Sequence, residues 1–403
     1  MPRSEWWTEA RFGLFIHWGL YALPARHEWV KSREKMTDEA YARYFERFDP
    51  DLYEPAAWAR TAREAGMKYF VVTAKHHDGF CLWDSDETDY KAPNTPASRD
   101  LLRPLVEAMR AEGLRVGFYY SLLDWHHPEY TVDRFHPGRD DPAYLEKAKG
   151  RTLGRYVDYL FAQVRELLTR FGPVDILFFD YSFPGPEGKG RAEWRSDELV
   201  RMVRALQPDI LVNDRLDLLD LPDGWDYRTP EQFTPRGPVR AGGRPVLWEA
   251  CQTFSGSWGY HRDESTWKSV RQLLVMLIET VGKGGNLLLN VGPTARGRFD
   301  DRALDRLRGI GDWTRLHGRS IYGCTQAPAQ VVPPGRALLT FHPGKNRLYV
   351  HVLEWPPGSL EMPGLAGRVA YAQLLHDASE VAFMDGPEAA GFMPGEREEA
   401  PRA

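Results

Sequence analysis

Short, continuously apolar runs alternate with longer amphipathic stretches along most of the chain. Phe12–His17, Tyr69–Ala74, Arg115–Ser121, Ile176–Asp180, Ile210–Asp214 and Asn286–Val291 have the pattern of strands buried on both faces of a parallel sheet. Between them, Ala56–Ala65, Leu101–Glu112, Arg155–Arg170 and residues 193–206, 266–281 and 301–316 show helical spacing, with Gly113 and Gly172-Pro173 as stops. Asp226–Arg228 and Val246–Glu249 are further strand candidates. This alternation predicts an irregular (β/α)8 TIM-like barrel over residues 1–325. A doubly wound sheet is the alternative, but no Gly-x-Gly-x-x-Gly follows an early strand to support its dinucleotide-binding form. Past residue 325 the texture changes. Ala337–His342 and Arg347–Leu353 flank Pro343-Gly-Lys-Asn346, which reads as a hairpin. Arg368–Leu375 and Val381–Met384 extend the β character, so a small β-sandwich-like domain is expected over residues 326–394. The charged stretch 395–403 is expected to be a flexible tail.

The presumed C-terminal strand ends carry chemistry. In a parallel barrel those ends form the active-site rim. Here they read His17-Trp18-Gly19, Lys75-His76-His77-Asp78, Ser121 with Asp124-Trp125, Asp180, and Asn213-Asp214-Arg215, with Glu231, Glu249 and Trp258 beyond. Asp180 taken alone could equally cap a helix or anchor a loop. So many polar ends together point to a catalytic rim. The imidazoles raise the question of a metal-dependent barrel hydrolase. His76 and His77 are adjacent, which on a strand sends them to opposite sides, and no His-x-x-x-His or Cys-x-x-Cys pair is present. No metal and no cofactor is therefore expected, and the histidines suit hydroxyl binding.

Composition narrows the partners. A net charge of -5 gives no basis for binding nucleic acid or an anionic membrane. No apolar run approaches membrane-spanning length. The N-terminus lacks a signal-peptide pattern, and Cys81, Cys251 and Cys324 form no disulfide framework, so a cytoplasmic location is expected. The chain has 14 Trp, 18 Tyr and 19 Phe. Most of these fill a core, but Trp18, Trp83, Trp125 and Trp258 beside the histidines suit a polyhydroxylated ring.

Several collinear stretches resemble the retaining α-L-fucosidases of glycoside hydrolase family 29. They are Arg11–Gly19, His27-Glu-Trp29, Ala74–Phe80, Tyr119–Ser121 with Asp124-Trp125, Asp175–Asp180, Val212–Arg215, Thr229-Pro-Glu231, Trp248-Glu249, Ser257–Tyr260 and Gly284–Pro293. The resemblance implies an exo-acting hydrolase that releases terminal α-L-fucose from fucosylated oligosaccharides or glycoconjugates. It implies Asp180 as nucleophile and His17, Glu28, Trp29, His76, His77, Tyr120, Arg215 and Trp258 as substrate-binding residues. Glu231, on a loop over the rim, is the expected acid/base. Glu249, at the end of an apolar run, is the alternative. Fucose is a 6-deoxy sugar, so an apolar wall is expected from Phe15, Phe179 and Trp258. Another retaining exo-glycosidase on the same barrel stays open, as do linkage preference and homo-oligomer formation.

Overall fold

The computed structural model describes residues 3–185 and 188–385. Seven parallel strands form one curled sheet: β1 (Phe12–Ile16), β2 (Tyr69–Lys75), β3 (Arg115–Ser121), β4 (Ile176–Asp180), β5 (Leu211–Val212), β6 (Glu249–Thr253) and β7 (Asn286–Val291). Their spatial order is β5-β4-β3-β2-β1-β7-β6. The gap between β5 and β6 is filled by the segment 227–231. Tyr227 bridges Asn213, Arg228 bridges Trp248 and Glu231 bridges Cys251, all in parallel register. Pro230 has no N–H to give to a ladder, so this stave stays irregular, yet its carbonyl still accepts the Cys251 amide at 3.1 Å. The (β/α)8-like barrel expected from the alternation is present.

Helices α1 (Glu5–Ala10), α2 (Pro55–Glu64), α3 (Leu102–Ala111), α4 (Leu153–Arg170), α5 (Ser196–Leu206), α6 (Val270–Gly282) and α7 (Asp301–His317) accompany the strands. In α3 the buried residues are Leu102, Leu105, Val106 and Met109, one stripe of a 3.6-residue period. Helix α6 begins later than the expected 266, because a capping box between Ser269 and Gln272 fixes its start. Strand β6 likewise begins at Glu249 and runs on to Thr253, beyond the expected 246–249.

The period of two along each strand splits the apolar residues into two cores. Phe15, Tyr69, Val71, Tyr119, Ile176, Phe178, Leu211, Cys251 and Leu288 fill the barrel. Leu14, Ile16, Phe70, Val72, Phe118, Tyr120, Leu177 and Phe179 face the helices. At the N-terminal mouth α1 acts as a plug, with the Trp7 ring 4.8 Å from Tyr227 and the Trp6 ring 5.9 Å from Tyr69. The other mouth is left to the polar strand ends.

The expected hairpin is formed by β8 (Ala337–His342) and β9 (Arg347–Val352), paired antiparallel. It packs on α6, where a Cβ on Gly282 would lie 2.4 Å from the Leu339 carbonyl oxygen. The strands expected at Arg368–Leu375 and Val381–Met384 reduce to one bridge between Gln373 and Glu380. These segments are mostly exposed and offer no apolar face to pack. The end of the expected C-terminal domain and the expected tail 395–403 lie outside the described residues.

Gly13 on β1 points into the barrel, and a Cβ there would meet the Tyr69 ring at 2.3 Å. Gly13→Ala is therefore expected to lower stability by about 1–3 kcal/mol, the usual cost of overpacking. Denaturant unfolding would check this.

Candidate active site

The barrel's C-terminal mouth is organised around Asp180, the last residue of β4. The run Ile176-Leu-Phe-Phe-Asp180 alternates in and out, so Ile176, Phe178 and Asp180 share the inner face. Asp180 is buried and makes three charge-assisted contacts. The Tyr119 hydroxyl donates to Oδ2 at 2.7 Å, Arg215 donates to Oδ1 at 2.5 Å, and the Tyr181 amide donates to Oδ1 at 3.0 Å. Burial pushes the carboxyl upward, but the Arg215 charge and these donors outweigh it and hold Asp180 below its ordinary range. Asp180 is thus an ionised carboxylate despite its burial.

Arg215 carries a second carboxylate. Its other terminal nitrogen donates to Glu231 Oε2 at 2.8 Å, while Thr229 accepts from Nε at 3.0 Å. Its guanidinium also lies 5.1 Å over the Phe178 ring. Glu231 stands on the irregular stave and leaves 42% of its side chain exposed. A buried acid and a rim acid thus share one guanidinium.

Glu249 does not join them. It is the first residue of β6 and so lies at the barrel floor, beside the α1 plug. It is fully buried and accepts a hydrogen bond from the Tyr69 hydroxyl. Burial pushes its carboxyl up to about 8. The alternative acid/base is corrected on this ground, since the whole length of the barrel separates Glu249 from Asp180.

Tyr120 is corrected too. Its hydroxyl donates to Gln163 on α4 at 2.8 Å, and the Lys75 ammonium sits 4.5 Å over its ring, all outside the barrel. Its neighbour Tyr119 has the inward parity. Gly117 and Ser121, two residues to either side, share that face, and this alternation was the sequence signal for Tyr119. By the same parity Phe179 faces the helices, so the apolar inner wall comes from Phe15, Phe178 and Trp258.

His17, His76 and His77 are gathered in one buried group. The His17 ring lies 5.5 Å from His76, and the His76 and His77 rings are 3.9 Å apart. Strand parity alone predicted opposite sides for the adjacent pair. Both residues lie past the end of β2 at Lys75, His77 already in a turn, so strand alternation does not govern them. Burial lowers His17 and His77 to about 3 and His76 well below its ordinary value. All three are neutral. Asn290 Nδ2 donates to the Trp258 carbonyl at 2.7 Å, which turns its Oδ1 toward His17 Nδ1 at 2.6 Å. Nδ1 therefore carries the proton and Nε2 the lone pair. Ser121 Oγ gives its hydrogen to the Leu123 carbonyl and sets the same tautomer in His77, at 2.6 Å. Among the described residues no three His, Cys, Asp or Glu side chains are gathered as a metal-ligand set.

Glu28 and Trp29 complete the wall. Glu28 is buried and accepts the Gly259 amide at 2.9 Å. Burial raises its carboxyl to about 7, and Oε1 has no hydrogen-bond partner among the described residues. Trp29 packs edge-on to His77 at 4.9 Å, and Trp258 covers His17 at 5.1 Å. Ser121 was expected only as a rim residue, and the expected site set omitted Tyr119, Tyr181 and Asn290. Tyr181 adopts φ +72°, an unfavourable backbone for a residue with a side chain. No pattern in the sequence signals that.

Two carboxylates around one cation, ringed by neutral acceptors and aromatic faces, suit cleavage of a glycosidic bond. Fold and site together define a glycoside hydrolase of the barrel class. The chain belongs to the α-L-fucosidase family, glycoside hydrolase family 29, whose model matches residues 1–319. It is similar to α-L-fucosidase isoenzyme 1 from Paenibacillus thiaminolyticus, with 46% identity, a TM-score of 0.91, and 96% of this chain and 92% of that one covered. A Bacteroides thetaiotaomicron α-L-fucosidase, trapped as a covalent intermediate with 2-fluoro-fucosyl fluoride, matches with 27% identity and a TM-score of 0.82 over 98% of this chain and 94% of that one. The tissue α-L-fucosidase of Mus musculus is 28% identical over 89% of this chain and 80% of its own length.

Tyr119→Phe removes a donor that favours ionised Asp180. The acid limb of the pH–rate profile is expected to move to higher pH, with kcat/KM lowered about tenfold. Glu249→Gln should leave turnover within about twofold. Wild-type Glu249 keeps its proton when folded up to about pH 8 but loses it near pH 4.5 when unfolded. Between those values the folded state binds the extra proton, so stability falls as pH rises, by at most ~1.4 kcal/mol per pH unit. The Gln variant should flatten that slope in unfolding measured from pH 5 to 8.

Proposed function

We propose that the chain releases terminal α-L-fucose from fucosylated oligosaccharides or glycoconjugates by double displacement, with Asp180 as nucleophile and Glu231 as acid/base. The observation that carries this reading is the shared guanidinium of Arg215, which donates to both carboxylates. A retaining enzyme needs its two carboxyl groups roughly 5 Å apart, and two acids on one guanidinium are compatible with that spacing.

The steps follow from the geometry. Asp180, ionised and fixed by Tyr119, Arg215 and the Tyr181 amide, attacks the anomeric carbon as Glu231 protonates the departing oxygen. Esterification cancels the charge on Asp180. Glu231, left as a carboxylate by that proton transfer and held by Arg215, takes a proton from water. Water attacks the anomeric carbon and Asp180 is released. Neutral His17 and His77 accept from sugar hydroxyls through Nε2. Glu28, with one oxygen unpartnered, takes another hydroxyl. Phe15, Phe178 and Trp258 supply the apolar wall for the sugar's methyl group.

Asp180→Gly is expected to cut turnover of an aryl α-L-fucoside by several orders of magnitude, with azide restoring part of it. Near-normal activity without azide would overturn the nucleophile assignment. Glu231→Ala should barely slow a fucoside whose leaving group needs no proton and should strongly slow an oligosaccharide. Full activity is expected to survive exhaustive chelation; loss restored by zinc or manganese would favour the metal-dependent hydrolase.

A further inference from the structure

We infer that Tyr181, Phe135 and Phe183 form a stacking platform for the aglycone, the saccharide that leaves with the glycosidic oxygen. This inference rests on the fucosidase reading and extends it past the sugar in the buried pocket.

A row of rings climbs out of the site. The Tyr181 ring lies 4.8 Å from buried His77 and 5.2 Å from Trp29. Phe135 lies 5.2 Å from Tyr181, and Phe183 lies 5.0 Å from Phe135. His77 is buried, whereas Trp29, Tyr181, Phe135 and Phe183 are each half-buried. One pyranose ring spans about one such step, so the row outruns the sugar that the histidines hold. Its direction fits the leaving group. Tyr181 follows Asp180 directly, and Asp180 and Glu231 are among the charges that act on its hydroxyl. The rings beyond Tyr181 thus lead away from the Asp180 end of the pocket toward solvent. The rings meet nearly edge to face, and apolar ring faces are what the C–H face of a second sugar ring packs against.

The platform is held in place before substrate arrives. Asp133 Oδ1 accepts the Phe135 and His136 amides at 2.8 and 3.1 Å. Asp133 Oδ2 accepts from Tyr130 and from Lys189, tying the loop after β3 to the loop after β4. The Lys189 and Phe183 backbones pair with each other at 2.9 and 3.0 Å. The Phe135 carbonyl accepts from Ser32 Oγ at 2.6 Å. A buried ion pair thus locks Phe135 against Phe183, and little ordering is left for binding to cost. The exposed Arg134 guanidinium lies 4.8 Å over Phe135 and 5.2 Å over Phe183, so it covers part of both rings and brings charged donors to the platform for aglycone hydroxyls.

The test compares leaving groups. Fucosyl fluoride offers no ring to stack; a fucosyl disaccharide does. Phe135→Ala, Phe183→Ala and the milder Phe135→Leu would be assayed on the fluoride and on the best-cleaved member of a linkage panel of fucosyl disaccharides. The expected result is a drop of about tenfold in disaccharide kcat/KM for each Ala variant, with fluoride turnover within about twofold even where the lost ring packing lowers the thermal midpoint. Equal losses on both substrates, or no loss on either, would overturn the inference alone. So would an unchanged enzyme that turns over the fluoride but no disaccharide. Failure of the unchanged enzyme on the fluoride would overturn the fucosidase reading itself, and this inference with it.

Discussion

The contact on which the site depends is Arg215 between Asp180 and Glu231. Burying Asp180 alone would favour its protonated form, and a protonated acid is no nucleophile. The guanidinium at 2.5 Å reverses that preference. Arg215 is itself largely buried, and each of its contacts serves to keep it there: Thr229 at Nε, Glu231 at one terminal nitrogen, the Phe178 face beneath. A lysine could not hold two carboxylates and lie flat on a ring at once. The irregular stave 227–231 matters for the same reason. It brings Thr229 and Glu231 to the guanidinium while still closing the barrel through its bridges to Asn213, Trp248 and Cys251.

Much of this was legible in the sequence. Continuous apolar runs ending in polar residues placed β1 to β4 and β7 within a residue or so, because strands buried on both faces have few alternatives. The same logic gathered Asp180, Arg215 and Glu231 at one rim. It failed where one residue of register decides the outcome. Tyr119 and Tyr120 are chemically alike, and only strand parity sends one to Asp180 and the other to Gln163. The rule then misled at His76 and His77, because β2 ends at Lys75 and the turn that follows gathers both imidazoles into one group. Glu249 was misplaced for another reason. A polar residue beside an apolar run can begin a strand as readily as end one, and β6 runs from Glu249 rather than toward it. The C-terminal strands were overread because β-rich composition does not by itself supply a face to bury.

The buried imidazoles show how hydrogen bonding divides labour with burial. Burial makes all three neutral, so none can repel Arg215 or draw Asp180 into an ion pair of its own. Neutrality leaves the tautomer open, and the tautomer decides whether Nε2 donates or accepts. Asn290 and Ser121 close that choice for His17 and His77. Both are anchored by a backbone carbonyl, Asn290 donating to Trp258 and Ser121 to Leu123. The acceptor pattern of the two imidazoles is thus set by backbone carbonyls one hydrogen bond further out.

Asp180 and Glu249 make the general point. Both are buried acids on the inner face of one barrel, at opposite ends of parallel strands. At the rim an acid meets Arg215, Tyr119 and a backbone amide, and charge is the stable form. At the floor burial outweighs what Tyr69 and Trp7 can donate, and the proton stays on. The parallel sheet accounts for the difference. With the strands all pointing one way, their loops collect polar side chains at one mouth, while α1 seals the other with tryptophan. The barrel therefore sustains an ionised acid at its rim and a protonated one at its floor.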